Sequence, residues 1–67
     1  MISVSINGVV RHFDTPVSII TLLEQMQLGG KRIALECNGE IVPRGQYQQR
    51  LLADGDRLEI VVAVGGG

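Results

Sequence analysis

The sequence has few of the residues from which cofactor, metal and nucleic-acid sites are built. Its 67 residues include no tryptophan, one tyrosine, one phenylalanine, one histidine and one cysteine. Two isolated aromatic rings do not form a stacking platform for single-stranded nucleic acid, and one histidine cannot form a histidine cluster around a metal. A lone cysteine excludes an internal disulfide and favours a reducing compartment.

Charge and hydropathy exclude further classes of protein. The formal net charge is −1, so the chain lacks the basic footprint of proteins that bind nucleic acid or anionic lipid. No stretch is long and apolar enough to span a bilayer, and Met1 leads directly into a strand pattern instead of a signal peptide. We therefore expect a cytoplasmic protein with no nucleic-acid partner and no membrane partner.

The residues that are present suffice for one small domain. The composition is 45% hydrophobic and 19% charged, which is apolar enough for a packed core. A domain of this size buries only about 60% of the surface of its unfolded chain. Nearly every aliphatic residue is therefore expected inside.

The first part of the chain predicts a β-hairpin. Ile2–Ile6 alternates apolar and polar residues, as a strand with one buried face does. Asn7-Gly8 is a strong signal for a tight turn because both residues tolerate a positive φ, and Val9–Phe13 is the returning strand. A strict two-residue turn places Arg11 on the face of Val4, so either a bulge intervenes or the arginine stem lies along the apolar surface.

One helix follows the hairpin. Ser18 is an N-cap candidate because its hydroxyl can accept from a free N–H of the first turn. The alternative start is Thr15, with Pro16 at the first helical position. Gly29-Gly30 is expected to end the helix, since glycine readily adopts the left-handed conformation found there. The apolar stripe of the helix comprises Ile19, Leu22, Leu23 and Met26.

The second half of the chain predicts two short strands and an irregular segment. Ile33–Cys37 is a third strand, Asn38-Gly39 a second tight turn, and residues 40–42 a short strand. The irregular stretch that follows can bury Leu51 or Leu52 through a helical turn.

A final strand, over residues 57–64, follows the turn Asp54-Gly55-Asp56 and is rich in β-branched residues. Val61 and Ala63 are predicted on the face opposite the core, where an apolar pair is a possible partner contact. The alternative is that they are ordinary exposed aliphatic residues. The predicted core face comprises Leu58, Ile60, Val62 and Val64.

This order of elements predicts an α+β protein with the β-grasp, or ubiquitin-like, fold. That fold is a mixed sheet of four to five strands with one helix packed across one face. The last strand then fits between the two strand pairs, beside and parallel to the first. Residues 1–64 form the domain, and residues 65–67 form a flexible C-terminal glycine tail.

No group of side chains indicates catalysis, and no metal site is predicted. His12 is interpreted as a strand residue facing solvent, and Cys37 as a small buried hydrophobic residue. Asp54 and Asp56 flank a turn glycine, where carboxylates accept from backbone N–H groups. Gly29-Gly30-Lys31 lacks the glycine spacing and the following serine or threonine of a phosphate loop.

The glycine tail is the remaining candidate. Gly65, Gly66 and Gly67 have no side chains, so they can thread a narrow channel and reach roughly 10 Å beyond the fold. Simple fraying of the terminus is the alternative. The α-carboxylate of Gly67 becomes reactive once one of its oxygens is made a leaving group, as in an acyl-adenylate formed from ATP. A sulfur nucleophile that displaces AMP then leaves a thiocarboxylate at Gly67.

Three motifs in the second half of the chain occur together. They are Asn38-Gly39-Glu40-Ile41-Val42-Pro43-Arg44, then Tyr47, then Asp54-Gly55-Asp56 with a β-branched strand and the glycine tail. This set resembles the ThiS family of sulfur-carrier proteins. The similarity extends over essentially the whole chain, including the helical segment Leu22-Leu23-Glu24-Gln25. The family ends in a Gly-Gly pair, so Gly65 is an additional glycine.

The resemblance implies a carrier protein with no bound cofactor, not an enzyme. It implies that a ThiF-like adenylyltransferase uses ATP to activate Gly67, preceded by Gly66, and that sulfur arrives from a donor such as a cysteine desulfurase system. A ThiG-like thiazole synthase would then use the sulfur, with deoxyxylulose phosphate and a glycine-derived imine, in thiamin biosynthesis. The alternatives are a carrier for molybdopterin or another sulfurated product, and a ubiquitin-like protein-binding module that never activates its end.

Overall fold

The sheet of this protein has its last strand in the middle. The computed structural model describes residues 1–63, and this part contains five strands in the order β2-β1-β5-β3-β4. Strand β5 lies parallel to β1 and antiparallel to β3. The elements are β1 (Ile2–Ile6), β2 (Val9–Phe13), α1 (Ile19–Gln25), β3 (Ile33–Cys37), β4 (Glu40–Ile41), a 3₁₀ turn (Arg44–Gln46) and β5 (Arg57–Val62).

This topology confirms the predicted β-grasp arrangement, with five strands and one helix in the described part of the chain. Residues 64–67 lie outside the described residues, and so do the predicted domain boundary after residue 64 and the glycine tail. That division of the chain stays a prediction.

The first hairpin has a strict two-residue turn and no bulge. Asn7 and Gly8 have φ values of 52° and 85°, and the register pairs Val4 with Arg11 and Ile6 with Val9. Val4 and Ile6 are buried, whereas Arg11 and Val9 are exposed although they share the same face of the sheet. The core therefore ends beneath β1, and Arg11 needs neither a bulge nor a buried stem.

Helix α1 begins where the sequence predicts and ends earlier. The Ser18 hydroxyl accepts from the Thr21 N–H at 3.2 Å, which confirms Ser18 as the N-cap. At the other end, Gln27 has a φ of 60° and its N–H donates to the Glu24 carbonyl at 3.0 Å, while the Leu28 N–H donates to Leu23 at 2.8 Å.

These two bonds form a Schellman motif, in which Gln27 occupies the left-handed position. The prediction that Gly29-Gly30 ends the helix is therefore wrong. The chain reverses two residues earlier because Leu28 packs against the core, and that contact requires the left-handed residue directly before it.

The core lies between α1 and the covered face of the sheet. The segment after β4 closes it: Leu52 is 1% exposed and Leu51 is 62% exposed. This segment also completes the start of α1, since the Ile19 and Ile20 N–H groups donate to the Arg50 and Tyr47 carbonyls at 3.0 and 2.9 Å. The buried residues are Ile2, Val4, Ile6, Ile19, Leu22, Leu23, Leu35, Cys37, Val42, Tyr47, Leu52, Leu58 and Ile60.

The side chain of Asn7 replaces a missing piece of strand. The paired positions of β1 and β5 are Ser5 with Arg57 and Ile6 with Leu58, and beyond them β1 turns away. The Asn7 amide then bonds to both backbone groups of Ile60, accepting from its N–H at 2.8 Å and donating to its carbonyl at 3.1 Å. This amide continues the hydrogen-bond ladder along the centre of the sheet.

Replacing Asn7 with glycine is expected to lower the free energy of unfolding by about 2 kcal/mol, since two partly buried hydrogen bonds to Ile60 are lost. Glycine keeps the positive φ of the turn, so the loss reports on the side chain. Denaturant unfolding measures the loss, and amide hydrogen exchange should show faster exchange of the Ile60 N–H. Asn7→Asp keeps the acceptor and loses the donor, so its free energy of unfolding should lie between those of the native protein and Asn7→Gly. Unchanged exchange at Ile60 in Asn7→Gly would refute the role assigned to this amide.

Replacing Gln27 with glycine is expected to raise the free energy of unfolding by about 1 kcal/mol, because a left-handed residue with a Cβ is strained. The matched control is Gln25→Gly in the last helical turn, where glycine should lower it by about 1 kcal/mol. Both side chains are exposed, so neither substitution disturbs the core. Urea unfolding of the native protein and the two variants measures both changes in the free energy of unfolding. A loss of stability in Gln27→Gly would contradict the assignment of a Schellman motif.

Candidate functional site

Strand β5 is the element that leads toward the glycine tail, and it is hydrogen-bonded along its whole length. At its start, the Asn38 side-chain oxygen accepts from the Arg57 N–H at 3.0 Å, while the Asn38 N–H donates to the Arg57 carbonyl at 2.7 Å. Past its last residue, the Ala63 N–H still donates to the Arg32 carbonyl at 2.9 Å. The chain is therefore anchored to β3 up to the last residue described.

The two faces of β5 differ in burial. Leu58 and Ile60 are buried on the face that α1 covers, and Val61 is 66% exposed on the opposite face. Val62 shares the covered face but is 39% exposed, so its predicted place in the core is wrong. It pairs with Ile33, which is itself only partly buried, at the margin of the core. Val64 lies outside the described residues.

A groove of about 340 Å³ borders the last residues of β5 on the uncovered face. Val61 and Ala63 line it, and so does Ala34 on β3, which pairs directly with Val61 on β5. The cationic side chains of Arg32 and Arg44 also line it. Ile33 completes its lining.

Sequence reasoning identified only part of this groove. Val61 and Ala63 are placed on the uncovered face, as predicted, while their contact with a partner stays a prediction. Ala34 could have been found, because the alternation of β3 puts it opposite its buried neighbour Leu35. Arg44 follows Pro43 in a 3₁₀ turn, and no local pattern places it beside β5. Gly65, Gly66 and Gly67 lie outside the described residues.

The polar side chains that the sequence singled out have structural roles. His12 is exposed, with Nδ1 2.8 Å from the Ser3 hydroxyl. Asp54 accepts from the Ser3 N–H at 2.7 Å, and Asp56 accepts from the Ala53 N–H at 2.8 Å and from the Asn38 amide at 3.0 Å. The two carboxylates thus hold a turn against its neighbours.

A cavity that includes the glycine segment after α1 does not form a phosphate site. It measures about 450 Å³ and lies between α1 and the 3₁₀ turn, where Gly29-Gly30-Lys31 and Arg44 line it together with apolar residues such as Leu28. The glycine segment follows a helix instead of preceding one, so it cannot act as a phosphate loop. In residues 1–63 no three metal-ligating side chains cluster, and no helix is long and apolar enough to cross a membrane.

Cys37 is a buried side chain, 1% exposed on the covered face of β3. Burial raises the pKa of the Cys37 thiol above its ordinary value of 9.0, and the negative charge of Asp56 acts in the same direction. A thiol with a raised pKa is a poor nucleophile because little of it is thiolate. The prediction that this cysteine is a small hydrophobic residue agrees with its position.

Comparison with known proteins assigns the chain to a family. The model of the ThiS family matches residues 4–67. The chain belongs to the ThiS family. This match covers both the described fold and the glycine tail, whose residues the structure does not describe.

Relatives of this ThiS-family chain agree in sequence and in fold. The sulfur carrier protein ThiS of Bacillus subtilis is 42% identical over 50 residues, which are 75% of this chain and 76% of that protein. A crystal structure of the thiamine biosynthesis protein ThiS from Geobacter metallireducens has a TM-score of 0.81 and 25% identity, covering 98% of this chain and 100% of that one.

A third relative is a longer protein. The thiazole synthase of Paramagnetospirillum magneticum is 42% identical over 62 residues, which are 92% of this chain and 19% of that protein. The ThiS-family chain therefore spans about a fifth of this relative's length. A segment similar to the chain is part of the same polypeptide as the rest of that thiazole synthase.

Alkylation of Cys37 by iodoacetamide is expected to be slow in the folded protein, roughly tenfold or more below the rate in denaturant, because the thiol is buried and its pKa is raised. Mass spectrometry of timed samples measures both rates. Equal alkylation rates in the folded and the denatured protein would show that Cys37 is accessible.

The raised pKa also predicts how stability depends on pH. Since the folded pKa is the higher one, the thiol contributes stability that is full below pH 9.0 and is lost as the pH rises through the folded pKa.

Proposed function

We propose that this protein is a sulfur carrier for thiazole formation in thiamin biosynthesis and that Gly67 supplies the carboxylate that bears the sulfur. Membership of the ThiS family and the similarity to the sulfur carrier protein ThiS of B. subtilis support a sulfur carrier. The observation that carries the proposal is the position of β5. It is the central strand of the sheet, and the sequence continues from it directly into the glycine tail.

The proposed chemistry takes place at the α-carboxylate of Gly67. One carboxylate oxygen attacks the α-phosphorus of ATP, which forms an acyl-adenylate and releases pyrophosphate. Hydrosulfide, or sulfur delivered at the same oxidation level, then attacks the acyl carbon and displaces AMP. The product is a thiocarboxylate, whose sulfur is a good nucleophile toward an electrophilic carbon of a small molecule.

The folded body contributes positioning to these steps. Asn7 and Asn38 each bond to the backbone of β5 from opposite sides, so the strand is held as part of a rigid sheet. Once the body docks on an enzyme, Gly65 and Gly66 bring the carboxylate of Gly67 to the active site of that enzyme. Holding the reacting group in place converts a collision between two molecules into an effectively unimolecular step.

The proposed partners are those that act on the end of the chain. A ThiF-like adenylyltransferase supplies the adenylation with ATP. A donor such as a cysteine desulfurase system supplies the sulfur as a persulfide, from which a thiol reductant releases it as hydrosulfide. A ThiG-like thiazole synthase accepts it, which the similarity to the thiazole synthase of P. magneticum supports. The carrier itself is a co-substrate of these enzymes.

The proposal is tested by intact-mass analysis after incubation with ATP, a ThiF-like adenylyltransferase and a sulfur donor. The mass is expected to rise by the difference between one sulfur and one oxygen atom, and fragmentation should place the change at Gly67. The matched control carries one extra alanine after Gly67. It should keep the same unfolding midpoint and gain no mass, because its carboxylate has moved to another residue.

Two outcomes would contradict the proposal. If the protein gains no mass while a known ThiS gains it in the same mixture, the carrier function is wrong. If the thiocarboxylate forms but supports the large subunit of molybdopterin synthase and not a thiazole synthase, the carrier serves a different product.

A further inference from the structure

The two asparagines of this chain form a matched pair of turns that hold the central strand. The sequence contains Asn7 and Asn38 and no other asparagine, and a glycine directly follows each. Both lie in two-residue hairpin turns, with φ values of 52° and 55°. The Asn7 N–H donates to the Leu58 carbonyl at 3.0 Å, and the Asn38 N–H donates to the Arg57 carbonyl at 2.7 Å. The same local chemistry thus stands at two places beside β5.

An Asn-Gly sequence can modify itself without an enzyme. The backbone nitrogen of the glycine attacks the amide carbon of the asparagine side chain, and glycine has no side chain to hinder the attack. The new C–N bond closes a succinimide ring, while the amide nitrogen leaves as ammonia with the proton of the attacking N–H. Water then opens the ring at either carbonyl and gives aspartate or isoaspartate. The net reaction uses water, releases ammonia and replaces an amide with a carboxylate.

Hydrogen bonds at both ends of each side-chain amide oppose this reaction in the folded protein. The Asn38 side-chain oxygen accepts from the Arg57 N–H at 3.0 Å, and its nitrogen donates to the Asp56 carboxylate at 3.0 Å. The Asn7 amide makes the corresponding pair of bonds to Ile60. The amide carbon must move over the nitrogen of the following glycine, so these bonds must break first. The rate of reaction in the folded protein therefore depends on how often each turn opens.

The two turns differ in how much of the sheet must open with them. Asn7 joins β1 and β2, which have five residues each and pair along their whole length, and its bonds to Ile60 are partly buried. Asn38 leads into β4, which has two residues and pairs with β3 at two positions. The side-chain bonds of Asn38 are exposed. A short hairpin at the edge of a sheet opens locally at a lower free-energy cost than its centre.

Conversion of Asn38 would place two carboxylates against each other. The nitrogen that now donates to Asp56 becomes an oxygen, so repulsion between like charges replaces a hydrogen bond. Asp56 also accepts from the Ala53 N–H at 2.8 Å, and moving away would break that bond. The isoaspartate product adds a methylene group to the backbone of the turn. Both products therefore loosen the start of β5.

We propose that Asn38-Gly39 is a site of spontaneous deamidation in the folded protein and that this modification releases the start of β5 from its turn. Asn7-Gly8 has the same intrinsic reactivity, and the fold protects it. The inference concerns the described body of the protein, so it stands independently of the proposed function of Gly67.

The first test incubates the native protein in mildly alkaline buffer and measures deamidation by mass spectrometry of tryptic peptides. Trypsin places the two asparagines in separate peptides, 1–11 and 33–44, and neither peptide contains another amide side chain. Asn38 should be converted on the order of tenfold faster than Asn7. In denaturant, where both turns are open, the two rates should agree within about twofold. Labelling by an isoaspartyl methyltransferase measures the isoaspartate fraction of the product.

The second test introduces the product carboxylate directly. Asn38→Asp should unfold at a lower denaturant concentration than the native protein, and its Arg57 N–H should exchange several-fold faster. The matched variant Asn38→Asp/Asp56→Asn restores one donor and one acceptor in reversed order, so it should recover most of the lost midpoint. Asp56→Asn alone controls for the removal of that carboxylate.

The outcomes decide the two parts of the inference separately. Faster conversion of Asn38 in the folded protein, with recovery in the double variant, supports both parts. If Asn7 is converted as fast as Asn38 in the folded protein, or if neither is converted there, the proposed site is wrong. If Asn38→Asp keeps the native midpoint and the native exchange of Arg57, deamidation does not release β5. None of these results changes the mass gain expected at Gly67, so failure here leaves the proposed function intact.

Discussion

The structure depends on satisfying both edges of one central strand. β5 enters the sheet last in sequence and lies between β1 and β3, so its backbone groups need partners on two sides. β3 supplies them along the whole of one side, whereas on the other side β1 turns away after Ile6. The amide of Asn7 takes over at Ile60, and the side chain of Asn38 closes the start of the strand at Arg57. Two turn residues thus complete the sheet.

Residues 1–63 contain one α-helix, and this decides the second property of the molecule, which is that the two faces of its sheet differ. A chain of 67 residues can build only a small core. That core lies between α1 and one face of the sheet. The other face is left to Ala34, Val61, the arginines and the pair formed by Glu36 and Glu59. An uncovered face beside the tail is what a protein that acts through its end requires, since the partner must approach that end and hold the body at the same time.

The side chains of the carrier hold its fold together, and the chemistry is left to other proteins under the proposed function. Its described side chains are structural where they could otherwise suggest chemistry: Cys37 is buried, and Asp54 and Asp56 hold a turn. Under the proposed function the reactive group is a main-chain carboxylate, and activation is left to enzymes with their own active sites. Under this proposal the carrier contributes a stiff body that positions its own end.

The sequence by itself determined the strands, the hairpin turns and the position of β5, because these follow from local periodicity, glycine turns and the prediction of a single helix. It offered both Ser18 and Thr15 as the start of α1, and the structure decided for Ser18. The resemblance to the ThiS family was also visible in the residues. Only the tertiary structure decided that Gln27 ends α1, that Asn7 bonds to a residue 53 positions away, and that Arg32 and Arg44 flank Val61. The reason is physical: periodicity reports which face of an element is apolar. The contacts of Asn7 and of the two arginines join segments distant in sequence, and α1 ends at Gln27 because Leu28 packs against the core, so all three depend on the assembled fold.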